Sequence, residues 1–125
     1  MLKEKAIYYK RKGYNCSQCI LKASEDTYGI KLSEQVLKAC SAVNNGFGIG
    51  NVCSVLIAGV MVFGLLFDSE TAKQMRLNLF MKFHEKHSFD CMALRREFKT
   101  GNCEEIIKEI ADIVETLIKE NKDGL

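Results

Sequence analysis

Residues 52 to 67, VCSVLIAGVMVFGLLF, run for 16 positions without a charge. As a helix this run spans about 24 Å, short of the ~30 Å hydrocarbon core of a bilayer. A helix that is apolar all round has to be covered, so the run is expected to lie buried on most sides at the centre of the domain rather than to insert into a membrane. Its cover must come from the rest of the chain. No proline interrupts that chain, and no alternating run is long enough for a strand. The covering elements are therefore expected to be amphipathic helices.

Their boundaries can be read from capping chemistry. Residues 2–12 form a first helix stopped near Gly13. Asn15 with Gln18 makes an N-x-x-Q variant of the capping box and opens a helix over 16–28, with Gly29 ready for a left-handed C-terminal turn. Ser33 can cap a third helix to about Val43, followed by the sharply bending NNGFGIGN. Ser69 opens a long helix to about His87, with Ala72, Met75, Leu79, Phe80 and Phe83 at helical spacing. Asp90 caps a short helix to Phe98. Asn102 with Glu105 opens the last, whose apolar stripe is Ile106, Ile110, Ile113, Val114 and Leu117. The expectation is an all-α fold, one domain over residues 1–125, a compact bundle of about five to seven helices around the central apolar helix.

Charge excludes some functions. With 18 basic and 16 acidic residues the formal charge is +2, and no basic stripe interleaves with aromatics, so nucleic acid is not expected as a partner. The start, MLKEKAIYYKRKGY, reads as an amphipathic helix and lacks the apolar core of a signal peptide. A cytoplasmic location is expected. Six cysteines are many for a reducing compartment, where metal or redox chemistry is favoured over a disulfide scaffold.

The placement of the cysteines sharpens this. Cys16 follows Asn15, Cys91 follows Asp90 and Cys103 follows Asn102, each just inside an expected helix start, where unpaired N–H groups and the helix dipole stabilise a thiolate. Cys53 begins the central helix after the GFGIGN loop. Helix ends gather at the ends of a bundle, so these four can converge, and four thiolates in one place suit an iron–sulfur cluster or a tetrahedral zinc. Their separations of 37, 38 and 12 residues match no compact metal motif. Cys40, in LKACSAV, reads as core packing in mid-helix. Cys19 completes a C-x-x-C with Cys16, but the βαβ context of a thioredoxin-like site is absent and Cys19 falls in an apolar stripe.

His84 and His87 lie near Cys91, either as one ligand of a Cys₃His site or as exposed cations at a helix C-terminus. Glu104 and Glu105 read as first-turn helix charges. No Ser/His/Asp order, Walker loop or paired catalytic carboxylate emerges, so no catalytic residue is assigned. GFGIG lacks the preceding strand of a phosphate loop.

The stretches YNCSQCILKASEDTYGI, NNGFGIGNVCSVLIAGVMVFGLLF, FDC and NC, in that order, make the chain resemble the redox-active C-GCAxxG-C-C family of small proteins with four characteristic cysteines. The cysteines carried over are Cys16, Cys53, Cys91 and Cys103. Both glycines of the family's motif are replaced here, around Cys53-Ser54-Val55-Leu56-Ile57-Ala58, and Cys19 and Cys40 have no counterpart. The resemblance implies a redox-type protein. Together the residues and the resemblance lead to the expectation of an electron carrier holding an iron–sulfur cluster through the four cysteines, serving a redox partner protein and compatible with a homodimer. The alternatives are a thiol–disulfide enzyme or sensor using the same cysteines, or a structural zinc domain that binds a partner.

Overall fold

The computed structural model describes residues 1–44, 49, 51–98 and 103–123. Among these lie seven helices and no strand: α1 (Leu2–Arg11), α2 (Cys16–Tyr28), α3 (Glu34–Ala39), α4 (Ser54–Leu66), α5 (Ser69–His84), α6 (Cys91–Phe98) and α7 (Glu104–Asp123). The all-α expectation holds, at the upper end of the helix count.

The boundaries follow the caps. At α2 both halves of the box close: Asn15 Oδ1 accepts from the Gln18 N–H at 3.0 Å, and Gln18 Oε1 accepts from the Asn15 N–H at 3.1 Å. Its far end turns at Gly29, where φ is 69°. Asp90 Oδ1 accepts from the Ala93 N–H at 3.1 Å and opens α6. Helix α3 stops at Ala39, short of the expected Val43. Two side chains from the start of α2 capture its last carbonyls: Gln18 Nε2 donates to Leu37 O at 2.8 Å and Asn15 Nδ2 to Cys40 O at 3.0 Å. No residue of α3 is buried, so packing does not pull the helix further. Helix α5 likewise ends at His84, and Cys40 follows a helix rather than sitting within one.

Helix α4 is the centre, packed against α2, α5 and α7, while α1 lies across α2 and α7. Leu56, Phe63, Met75, Leu79, Phe83, Ile107, Ile110 and Val114 are wholly or almost wholly buried around it. The contact is closest at Gly59: a Cβ there would stand 2.9 Å from Val114 Cγ2 and 3.3 Å from Leu79 Cδ2. The burial is not complete, however. Leu65 is 50% exposed, and Ile57, Val60 and Met61 are only half-buried. Among the described residues no helix is long and apolar enough to cross a membrane.

Candidate functional site at four helix starts

Two long-range backbone bonds shape the site. Val52 and Asp90 form an isolated antiparallel bridge, with the Cys53 N–H donating to Phe89 O at 2.9 Å and the Cys91 N–H to Asn51 O at 2.6 Å. Each cysteine thereby spends its own N–H on the other's segment, and the starts of α4 and α6 are held together. On the other side, Arg11 at the end of α1 grips Glu104, the first residue of α7. Its Nε donates to Oε2 at 3.2 Å and its Nη2 to Oε1 at 3.1 Å. A forked guanidinium–carboxylate pair fixes orientation as well as distance. It stands next to Cys103.

Within this frame Cys16 is the first residue of α2 and Cys91 the first of α6, as their capping residues imply. Cys53 is one place earlier than expected: it is the N-cap of α4. Cys103 also precedes its helix, its carbonyl accepting from the Ile107 N–H at 3.0 Å. Its φ is 64°, a left-handed conformation that costs a non-glycine residue roughly 1–3 kcal/mol and that clusters at functional sites. The expected cap at Asn102 lies outside the described residues.

Cys16, Cys53, Cys91 and Cys103 line one cavity of about 10 Å³, walled by Ser54, Val55, Leu94 and Ile106. The Cys16 and Cys103 side chains are hydrogen-bonded to each other. That bond is the main cause holding the Cys16 thiol protonated far above its usual range, with burial and the neighbouring sulfur's charge adding to it. Burial pushes Cys53 up to about 11, although the Val55 and Leu56 N–H groups pull the other way without closing a capping bond. Here the helix ends do not win. At Cys53 desolvation penalises the thiolate by more than the helix start rewards it, and at Cys16 the bond to Cys103 does so, contrary to the expectation of ready thiolates.

The other two cysteines stand elsewhere. Cys19 is fully buried, donates to Tyr14 O at 3.6 Å and is raised to about 11 by burial. Cys40 is buried at the end of α3, and the Ser17 hydroxyl partly offsets the upward push of burial on its thiol. Neither lines the cavity, nor does either histidine. His84 stacks against Phe89 with ring centroids 4.9 Å apart. His87 is not an exposed cation: its side chain is 11% exposed, its Nε2 lies 2.9 Å from Glu109 Oε1 on α7, and its ring tilts against Phe83.

The donor set is uniform, four thiols with no carboxylate or imidazole among the lining residues, and soft thiolates select iron–sulfur clusters, zinc or copper(I). In chemistry the set fits such a group. In spacing it is not preassembled: among the described residues no three His, Cys, Asp or Glu side chains form a ready-made site for a metal ion. The cavity is about the size needed for one water, so a larger guest requires the four cysteine side chains to turn apart.

No curated protein and no solved structure matches the chain. One family model does, described as "Putative redox-active protein (C_GCAxxG_C_C)", over residues 14–117, a span that includes all four cysteines of the cavity and most of α7. With that match over most of its length, the chain belongs to the C_GCAxxG_C_C family of redox-active proteins.

Proposed function

We propose that this protein is a small electron carrier that holds an iron–sulfur cluster through Cys16, Cys53, Cys91 and Cys103. The observation that carries this reading is selective convergence. Four cysteines from four separate segments line one cavity, while two buried cysteines, Cys19 and Cys40, do not. A dithiol mechanism needs two sulfurs and would leave the other pair unexplained.

The acid–base chemistry points the same way. A thiol held protonated is a poor nucleophile, so Cys16, held by its bond to Cys103, and Cys53, held by burial, are badly placed to attack a substrate. Ligation removes the proton in exchange for a metal cation, which replaces the costly buried anion by a neutralised one. When bound, the cluster supplies a one-electron couple. The chain's own part is to present the four sulfurs, to keep water back with Val55, Leu94 and Ile106, and to hold the helix starts by the Val52–Asp90 bridge and the Arg11–Glu104 pair. Ligation through both sulfurs would replace the Cys16–Cys103 hydrogen bond.

That hydrogen bond favours one second reading, a reversible Cys16–Cys103 disulfide. There the two thiols give up two protons and two electrons to a partner disulfide, which becomes a dithiol. Anaerobic purification followed by visible absorption and metal analysis separates the two. Visible absorption with bound iron and acid-labile sulfide supports the cluster. Colourless, metal-free protein whose Cys16 and Cys103 cross-link on mild oxidation supports the disulfide. Zinc in a colourless sample would point to a structural site instead.

A further inference from the structure

The four cysteines of the cavity are not equally hidden. Cys53, Cys91 and Cys103 are buried, whereas Cys16 is partly exposed, so the sulfurs come nearest to solvent at the start of α2. The last turn of α1 is folded onto this edge. A tight turn joins α1 to α2, with the Gly13 N–H donating to Lys10 O at 3.1 Å and the Tyr14 N–H to Tyr9 O at 3.3 Å. From the same turn Arg11 reaches Glu104, the neighbour of Cys103, whose side chain is hydrogen-bonded to that of Cys16. Lys10, Arg11 and Lys12 therefore border the exposed edge of the site.

These cations are not all spent within the chain. Glu104 offsets Arg11, and Glu105 pairs with Lys108. Lys12 lies over the Tyr8 ring, 4.7 Å from its centroid, and among the described residues no carboxylate stands within ion-pair distance of Lys10 or Lys12. The charge of Lys10 acts on the Cys16 and Cys19 thiols, so its field reaches into the site.

Resting on the electron-carrier reading above, we infer that the end of α1 beside Cys16 is the docking surface for the redox partner, and that the partner presents an acidic face to Lys10, Arg11 and Lys12. Electron transfer falls steeply with distance, so a partner has to meet the edge where the sulfurs lie closest to solvent. Charge then selects among partners: an acidic face is steered to this edge and a basic one is repelled. Transient electron-transfer encounters use small interfaces, for which such steering matters more than broad apolar area. Tyr8, 52% exposed beneath Lys12, adds an aromatic contact of the kind enriched at interfaces.

The test uses two forms of one haem protein: native cytochrome c, which is basic, and cytochrome c with succinylated lysines, which is acidic. The reconstituted full chain is reduced with dithionite, freed of excess reductant and mixed with each. One electron leaves the cluster, ferric haem becomes ferrous, and the haem absorbance reports the rate. The succinylated form should be reduced about tenfold faster or more at low salt, a lead that shrinks as ionic strength passes about 0.1 M. Lys10→Gln and Lys12→Gln should each cut that lead about twofold, while Lys119→Gln, near the other end of α7, leaves it unchanged. The metal-free chain gives a reading that needs no cluster. The ratio of Cys16 alkylation rates by anionic iodoacetate and neutral iodoacetamide cancels the thiolate fraction, and each of the two lysine variants should lower it about twofold. Native cytochrome c reduced as fast as the succinylated form overturns the inference. So does an alkylation ratio that Lys10→Gln and Lys12→Gln leave at the wild-type value. A chain that takes up no iron sinks the cluster reading instead, and the alkylation ratio still decides for or against the charged edge.

Discussion

Replacing Asn15 by alanine removes more than a cap. Its Oδ1 accepts from the Gln18 N–H and from Ser17 Oγ at 2.8 Å, and its Nδ2 donates to Cys40 O, tying the start of α2 to the end of α3. Loss of the cap costs about 0.5–2 kcal/mol. Loss of the bond to Cys40 O adds about 0.5–1.5 kcal/mol. The Ser17 hydroxyl, 1% exposed, loses its acceptor but still faces the Cys40 sulfur, which limits the further penalty. The expected total is about 1–3.5 kcal/mol, which at a slope near 2 kcal/mol/M shifts the urea midpoint down by roughly 0.5–1.8 M. Asn15→Asp keeps the acceptor and loses the donor, so it should fall between the two. The same variants should free Cys16, the residue after the cap, to react faster with an alkylating reagent at equal folded fraction. Unfolding by circular dichroism and alkylation followed by mass spectrometry measure both effects. An Asn15→Ala midpoint no lower than that of the exposed α7 control Lys119→Ala would refute the reasoning.

Three other outcomes follow from the same geometry. Gly59→Ala should destabilise by about 1–2 kcal/mol in urea unfolding, because crowding against Val114 and Leu79 outweighs a helix-propensity gain of about 1 kcal/mol. In the reduced, metal-free protein, the raised thiols of Cys19 and Cys53 bind their protons more tightly when folded. Their contribution is complete below about pH 8.5 and is lost as pH rises to about 11, on the order of 2–3 kcal/mol each, and Cys19→Ala should flatten this fall in unfolding measured against pH. Tyr9 donates to Asp26 Oδ2 at 2.6 Å and is raised to about 12 chiefly by that bond, so Asp26→Ala should return one tyrosine to its ordinary range in an ultraviolet titration.

What the sequence reveals here is mostly local. Asn15 with Gln18, Gly29, Ser33 and Asp90 each mark a helix end through chemistry within a few residues, and the structure puts helix ends at all four. Helix-end placement was also enough to separate Cys16, Cys53, Cys91 and Cys103 from Cys19 and Cys40. The features that need distant partners are not written in any short window. The Val52–Asp90 bridge is a single pair with no alternating run around it, and the Arg11–Glu104 pair joins residues 93 apart. His87 looked like a last-turn cation because nothing nearby announces Glu109, one helix away. The same limit explains the thiols. A helix start is visible in sequence, but the depth of burial that reverses its effect on Cys53 depends on Leu94 and Ile106 arriving from α6 and α7.

The central claim is that four of the six cysteines hold one cluster, and single Cys→Ser variants test it most directly. Each is reconstituted anaerobically and assayed for iron and acid-labile sulfide per folded chain. Cys16→Ser, Cys53→Ser, Cys91→Ser and Cys103→Ser should each lose most of the bound iron and the visible absorption, while Cys19→Ser and Cys40→Ser keep both. Equal iron content in the two groups, or a wild-type chain that takes up none, would contradict the account.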